Sequence, residues 1–440
     1  MSGSVGDNVF RASGVIAAAA AGRTGTVDWQ TDSIKTSGFT AATTEGYFCD
    51  TSGGAFTVAL PAGVAQSIVA IADYTRTWND NNITLSPNGS DKIGGVAEDA
   101  TLSTNGQSAT FVFVDATEGW ININETSTSV SGVSPYLTAT GGTITTSGDY
   151  KIHTFTGPGT FCVSKVSCCS ADDLVSYVVA AGGAGGGTGV WNVHVGAGGG
   201  AGGFREYKNS CDPYTASPLN GNPGGTSVTV TATGFPITVG GGGAGAPSSS
   251  ARGTPGVDSV FAPVTSTGGG GGGSPTNAPN YPGIAGGSGG GGASEGGASG
   301  GIGNTPPVSP AQGFGGGQGT NNPPDVRSGG GGGATAVGTG GTTPPIVSGA
   351  GGAGATTSIP GSPTAYSGGG GGGGNPGKSN TAGAGGTGGG GAGGGPPGQA
   401  GVDGSANTGG GAGGGKGGPP DGTLGGDGGS GIVILRYQYQ

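Results

Sequence analysis

The chain has 440 residues, 115 of them glycine, with 31% apolar and 9% charged residues. An average protein carries roughly 7% glycine and about 25% charged residues, and this chain cannot fill the aliphatic core that one enzyme domain of its length needs. Lys and Arg total 14 against 24 Asp and Glu, and the net charge of −10 argues against a nucleic-acid-binding surface.

Residues 1–28 are small and polar, with an alanine-rich stretch from Val15 to Ala21 preceded by Arg11 alone. They lack the basic start of a secretory signal and read as an N-terminal attachment arm. No apolar run reaches the ~18 residues of a membrane-spanning helix. Residues 29–125 read as a β domain: EGYFC, GGAFTVAL, SIVAIADY, NNITL, ATFVFVD and GWININ are separated by turns such as Ser86-Pro87-Asn88-Gly89. In ATFVFVD, Phe111 and Phe113 share one face, and Val112 and Val114 share the other. That strand is therefore expected to be covered on both sides, by a second sheet or a neighbouring subunit. The Ser/Thr/Gly-rich residues 126–149 read as a linker.

Glycine is unevenly placed: 21 lie in residues 1–181 and 94 in residues 182–440. A second β region opens with DYKIHTFTGPGTFCVS and LVSYVVAAG, continues in TSVTVTATGFPITVG, and reappears only in the terminal GIVILRYQYQ. Ile432 to Leu435 with Tyr437 form the one strongly apolar run after Val239, and such a strand must join a sheet. Residues 150–239 plus 432–440 thus read as a β scaffold, and residues 240–431 as an insertion whose two ends return to it.

Inside the insertion, glycine runs such as 268–273, 368–374 and 383–395 alternate with Pro/Asn/Ser/Thr connectors such as SPTNAPNYPGIA. The composition suits either a flexible linker or close-packed polyglycine II rods. The rod reading is taken, in which each N–H and C=O pairs with a neighbouring rod and no space remains for a Cβ. Collagen is excluded. The triplets from Pro396 to Gly404 break at Ser405-Ala406-Asn407, and the other runs are read as lacking a three-residue period. The fold class expected is mainly β with very little α-helix: an N-terminal β-sandwich-like domain, then a β scaffold carrying a polyglycine II helix bundle.

No catalytic, metal or cofactor site is expected. The five cysteines, Cys49, Cys162, Cys168, Cys169 and Cys211, lack the CxxC spacing of a metal site and read as free thiols of a protein assembled in a reducing cytoplasm. GGGNPGKS at 372–379 satisfies a phosphate-loop pattern formally, but no strand precedes it and no helix can follow it. His153 reads as a strand residue, and His194 as part of a short packed strand in WNVHV. Glu98-Asp99 and Asp172-Asp173 fall in turn-like sequence, without the walled cleft that a glycosidase pair needs. Trp29, Trp78, Trp120 and Tyr74 read as core or subunit packing rather than as a glycan platform.

The ordered pieces DYKIHTFTGPGTFCVS, VSYVVAAGGAGGG, GGGAGGFRE, ITVGGGGAG and GGSGIVILRY resemble the glycine-rich domain of bacteriophage fibre and adhesin proteins. The N-terminal MSGSVGDNVFRASGVIA, DTSGGAFTVALPAG and NNITLSPNGSDKIGG look like the virion-attaching β domain of marine tailed-phage fibres. The resemblance implies a virion protein, assembled in the host cytoplasm, that attaches through its N-terminal arm to other virion proteins. It also implies a homotrimer and a bundle whose distal loops touch a host glycan or outer-membrane protein. The alternative is a purely structural capsid- or neck-decorating fibre. An ice-binding or cell-wall protein would fit the rods but not the N-terminal β domain.

If rods alternate in direction, connectors 246–267, 304–312, 334–348, 375–382 and 419–424 share the distal end. The receptor contacts expected there are Asp258, Phe261, Ile346, Lys378, Asn380 and Asp421.

Overall fold

The computed structural model describes residues 27–124, 136–167, 173–190, 194–221 and 227–439, apart from 249, 277, 323–324, 343–344, 376–379, 396–398 and 419–421. It is mainly β and divides at Pro135/Tyr136 into two compact units.

The first unit contains β1 (Asp28–Trp29), β2 (Phe39–Thr40), β3 (Glu45–Cys49), β4 (Phe56–Ala59), β5 (Ile68–Asp73), β6 (Ile83–Ser86), β7 (Ala100–Leu102), β8 (Ser108–Asp115) and β9 (Gly119–Asn122). One sheet has the order β1-β3-β5-β8-β9 and the other β2-β4-β6-β7. The chain thus alternates between two sheets, with β1, β3 and β5 parallel in one and β2, β4 and β6 parallel in the other. Period-two alternation directs Tyr47, Cys49, Val69, Ile71, Phe111, Phe113 and Trp120 inward, where they meet Val58, Leu60, Ile83 and Leu85 of the opposite sheet. Trp78 and Trp120 are fully buried in this core, whereas Trp29 and Tyr74 stay exposed. Burial, with Asp73 nearby, pushes the Cys49 thiol up to about 12, so it packs as an inert apolar group.

The second unit begins earlier than its composition suggests. Residues 138–147, read as linker, form β10 (Thr138–Thr140) and β11 (Thr143–Ser147). These are followed by β12 (Tyr150–Phe155), β13 (Gly159–Lys165), β14 (Leu174–Ala180), β15 (Phe204–Tyr207), β16 (Val228–Thr229), β17 (Gly234–Thr238) and the hairpin β18 (Ser259–Phe261)–β19 (Val264–Ser266). Two short hairpins lie in the glycine-rich part: β20 (Thr320–Asn322)–β21 (Asp325–Arg327) and β22 (Ala355–Thr357)–β23 (Thr364–Tyr366). The terminal strand β24 (Ile432–Gln438) inserts between β12 and β14 in the sheet β11-β12-β24-β14-β15, antiparallel to both.

Both faces of that sheet are covered. Val175, Tyr177 and Val179 of β14 and Val433, Leu435 and Tyr437 of β24 pack against the sheet β10-β13-β17-β18-β19 through Phe161, Ile237 and Phe261. The alternate residues Val178, Ala180, Ile432 and Ile434 pack on the other side against Ala334, Ala355, Ile359 and Tyr366 of the glycine-rich part. The glycine-rich region is thereby anchored to a conventional apolar core.

His153 is fully buried in β12, with Nδ1 2.7 Å from the Gly141 carbonyl and Nε2 3.2 Å from the Tyr437 hydroxyl. A carbonyl only accepts, so Nδ1 carries the proton and Nε2 accepts from the tyrosine. Burial holds this imidazole below its ordinary 6.5. Between the folded value and 6.5 the unfolded chain binds more protons, so stability falls as pH drops through that interval. Urea midpoints measured from pH 8 to 5 should show this slope, and the His153→Gln protein should show less of it.

Candidate recognition surface of the glycine-rich bundle

The glycine-rich segments bond sideways with a three-residue rhythm. Along the segment leaving β14, Gly182 and Gly185 donate to Val257 and Thr254, Gly183 and Gly186 to Gly429 and Gly426, and Ala184 and Gly187 to Gly200 and Ala197, all at 2.9–3.0 Å. The same segment accepts from Gly243 and Ala246, from Gly269 and Gly272, and from Ala412 and Gly415. It donates to three neighbouring segments and accepts from three others, as expected where a helix of three residues per turn sits in a close-packed array. The segment 195–203 repeats the pattern. It donates to 409–415, 267–273 and 329–332, and accepts from 181–187, 288–291 and 370–373.

Glycine is required by distance. A Cβ on Gly185 would lie 2.0 Å from the Ala244 oxygen, and one on Gly411 2.1 Å from the Gly199 oxygen. The segments at the periphery need glycine only where they face inward. A Cβ on Gly253 or Gly256 would meet the Gly185 or Gly182 oxygen at 2.0 or 1.9 Å, and one on Gly401 or Gly404 the Gly413 or Gly410 oxygen at 2.0 or 2.1 Å. Triplets such as QAG and VDG are therefore peripheral members of the same array.

Where a segment ends, a buried serine replaces the missing lattice partner. Ser274 Oγ accepts from Thr188 N and Ser294 Oγ from Val195 N, each at 2.9 Å. Truncating Ser294 to alanine should strand a buried N–H and cost about 1–2 kcal/mol in a chemical denaturation series.

Direction follows from the register. Ala180–Gly182 and Gly202–Phe204 lie at the sheet, and Val190 N bonds the His194 carbonyl at 3.0 Å to close the turn at the far end. Traced outward from these two segments, the far end also gathers residues 247–248 and 250–251, 275–276 and 278–280, 294–297, the paired strands β20 and β21, and the bridged pairs Thr342–Val347 and Asn375–Asn380. Its polar side chains are mainly hydroxyls and amides. His194 Nε2 lies 2.8 Å from the Glu295 carboxylate, joining two of these turns. Arg252 donates to Asn280 Oδ1 at 3.2 Å and to the Pro279 carbonyl at 2.6 Å, while Asn280 donates to the Ser250 carbonyl. Ser248, Thr276, Gln318 and Thr381 are exposed.

The expected contact residues are not brought together. Phe261 is fully buried in the scaffold core, because SVFAPVTS forms the hairpin β18–β19 at the sheet end rather than a distal connector. Asp258 is exposed but lies at that same end, accepting from Gly268 N at 2.8 Å. Connector 304–312 is also at the sheet end, since Gln312 O receives Phe204 N. Connector 334–348 contains a full peripheral segment, with Gly330 N bonded to Thr339 O, and only its later part is distal. There Ile346 is half-buried, and its carbonyl receives Thr381 N at 3.0 Å. Asn380 is distal but 3% exposed, and its amide donates to Val326 O and Ser348 Oγ. It holds turns together instead of facing outward. Lys378 and Asp421, together with Cys168, Cys169 and Trp191, lie outside the described residues.

The model of a glycine-rich domain matches residues 154–438, from within β12 to the end of β24. The chain belongs to the glycine-rich domain family. No curated protein matches it. The boundaries of this glycine-rich domain coincide with the strands that close the scaffold, so sheet and lattice form one unit.

A second polar constellation lies at the sheet end of the glycine-rich domain. Arg436 Nε donates to Asp212 at 2.9 and 3.2 Å, its guanidinium lies over the Tyr150 and Tyr214 rings at 4.7 and 5.5 Å, and Ser176 donates to the same carboxylate at 3.0 Å. Next to it, Glu206 accepts from Tyr214, Thr357 and Ser217 N, and burial raises its carboxyl above the ordinary range. Each acid is already met by several donors. Sequence reading missed this cluster because its members are scattered from Tyr150 to Arg436. It ties the loop 209–217 and β22 to the sheet, which gives it a structural role.

Proposed function

We propose that this protein is a bacteriophage virion fibre, attached to the particle through its N-terminal region and recognising the host surface through the far end of its glycine-rich bundle. The observation that supports this reading is the gathering of polar turns at one end of an array whose other end is anchored in an apolar core. Such an array holds loops of variable sequence on a stiff support, which suits recognition by hydroxyl and amide hydrogen bonds. The partner proposed is a surface glycan or an outer-membrane protein.

The second reading, a decorating fibre without a receptor, is favoured by Arg252 and Asn380, which are engaged in holding the turns. Binding of the labelled protein to cells of the bacterium that its virion infects separates the two. The Thr276→Arg/Thr381→Arg protein is expected to bind at least tenfold more weakly, and the Asp258→Ala protein unchanged. Absent binding by the wild type supports the decorating role and rejects the adhesin, and equal binding by all three rejects recognition through the far end of the bundle.

A further inference from the structure

Asparagine is a chemically labile side chain, because the backbone nitrogen of the next residue can attack its amide carbon. Glycine in that next position leaves the nitrogen unshielded, having no Cβ. The sequence holds three such pairs: Asn88-Gly89, Asn105-Gly106 and Asn220-Gly221. Attack needs two freedoms: a glycine N–H not committed to an acceptor, and a side-chain amide able to turn towards it.

The structure grants both freedoms to one pair. Asn105 Oδ1 accepts from Asn79 N at 2.7 Å, and Gly106 N donates to the Asp73 carboxylate at 2.9 Å. The negative charge of that carboxylate opposes loss of the nitrogen's proton. Asn220 Oδ1 accepts from Lys208 N at 2.9 Å, and Gly221 N donates to the Glu206 carbonyl at 3.0 Å. Asn88, two residues past β6, differs on both counts. Its carbonyl accepts from Asp91 N at 2.9 Å to close a turn, but among the described residues no hydrogen bond engages its side chain or Gly89 N. Asn88, Gly89 and Ser90 are all exposed, and nothing lies within 4 Å of the Gly89 Cβ position. The turn thus leaves the reacting atoms free, with open space for a ring to form.

We propose that Asn88 is a site of spontaneous backbone modification, converted by attack of its neighbour and by water into aspartate and isoaspartate. The Gly89 nitrogen bonds to Asn88 Cγ, the Cγ–Nδ2 bond breaks, and ammonia leaves with the glycine amide proton. Water then adds to either carbonyl of the resulting succinimide. Opening at Cγ restores the normal backbone as aspartate, and opening at the main-chain carbonyl gives isoaspartate, in which the chain runs through Cβ and Cγ. Either product adds one carboxylate to a chain of net charge −10. Isoaspartate also lengthens the backbone by one carbon just before Asp91, whose carboxylate accepts from Gly63 N at 2.8 Å, and before the buried Ile93. The proposal is independent of what the glycine-rich end recognises.

Peptide mass spectrometry on the full chain tests it, after incubation of the folded protein in warm, mildly alkaline buffer. Exchange of amide for acid raises a peptide's mass by about 1 Da, and isoaspartate is scored by its specific enzymatic methylation. Acid should accumulate at Asn88 at least tenfold faster than at Asn105 or Asn220, with both products present. In urea the hydrogen bonds that hold the other two pairs are gone, and the three rates should converge. Asn88→Gln should remove most of the acidic fraction that grows in on ion exchange. An unmodified Asn88 in the folded protein, or Asn105 or Asn220 reacting as fast, overturns the proposal. So does a difference that persists undiminished in urea, which would place the selectivity in the flanking sequence rather than in the fold.

Discussion

Replacing Gly198 with alanine should destabilise the second unit by about 3 kcal/mol or more, at the upper end of what overpacking costs. The added carbon would stand 2.1 Å from the Gly370 oxygen, 2.5 Å from its carbonyl carbon and 3.0 Å from Gly331 N. All three atoms are backbone of segments that are themselves bonded to neighbours, so no side chain can swing aside. Relief requires moving a segment, which breaks its bonds to the next. Gly241 provides the internal comparison, because nothing lies within 4 Å of its Cβ position. Gly241→Ala should be neutral or stabilising by roughly 0.4–1 kcal/mol through the lower entropy of the unfolded chain. Denaturant midpoints of the two proteins should therefore move in opposite directions or differ several-fold in size.

The second large effect belongs to Arg436. Its ion pair with Asp212 is almost wholly removed from solvent, with side chains 4% and 2% exposed. Removing one member of a buried pair costs about 3–5 kcal/mol, because the remaining charge is left without compensation. Arg436→Met should approach that loss in urea unfolding. The double variant Arg436→Met/Asp212→Leu should recover much of it, since an apolar pair carries no desolvation cost. A double variant as unstable as the single one would show instead that the ring contacts to Tyr150 and Tyr214 dominate.

Much of this architecture is legible in the residues. The alternation in ATFVFVD and SIVAIADY announces the first unit, and the apolar IVILRYQ after a long polar stretch announces a strand that returns to an earlier sheet. Its central place between β12 and β14 follows from the fact that both its faces are apolar. The positions of the turns were harder to read, for a physical reason. An interior segment is surrounded on all sides and needs near-continuous glycine. A peripheral one is surrounded on its inner side alone and needs glycine every third residue. Gly253/Gly256 and Gly338/Gly341 carry that spacing, and taking their stretches for connectors shifts the alternation that assigns Asp258 and Phe261 to the far end. Strand β11 reads as linker because TITTS is largely exposed at the edge of its sheet, where threonine serves as well as valine.

The account rests on sideways hydrogen bonding between glycine-rich segments, and amide hydrogen exchange measures it residue by residue. Segments 182–189, 196–203 and 411–417 donate to neighbours throughout and should exchange as slowly as the amides of β14 and β24. Exchange of these glycines at the rate of an unstructured chain, while β14 and β24 stay protected, would contradict it.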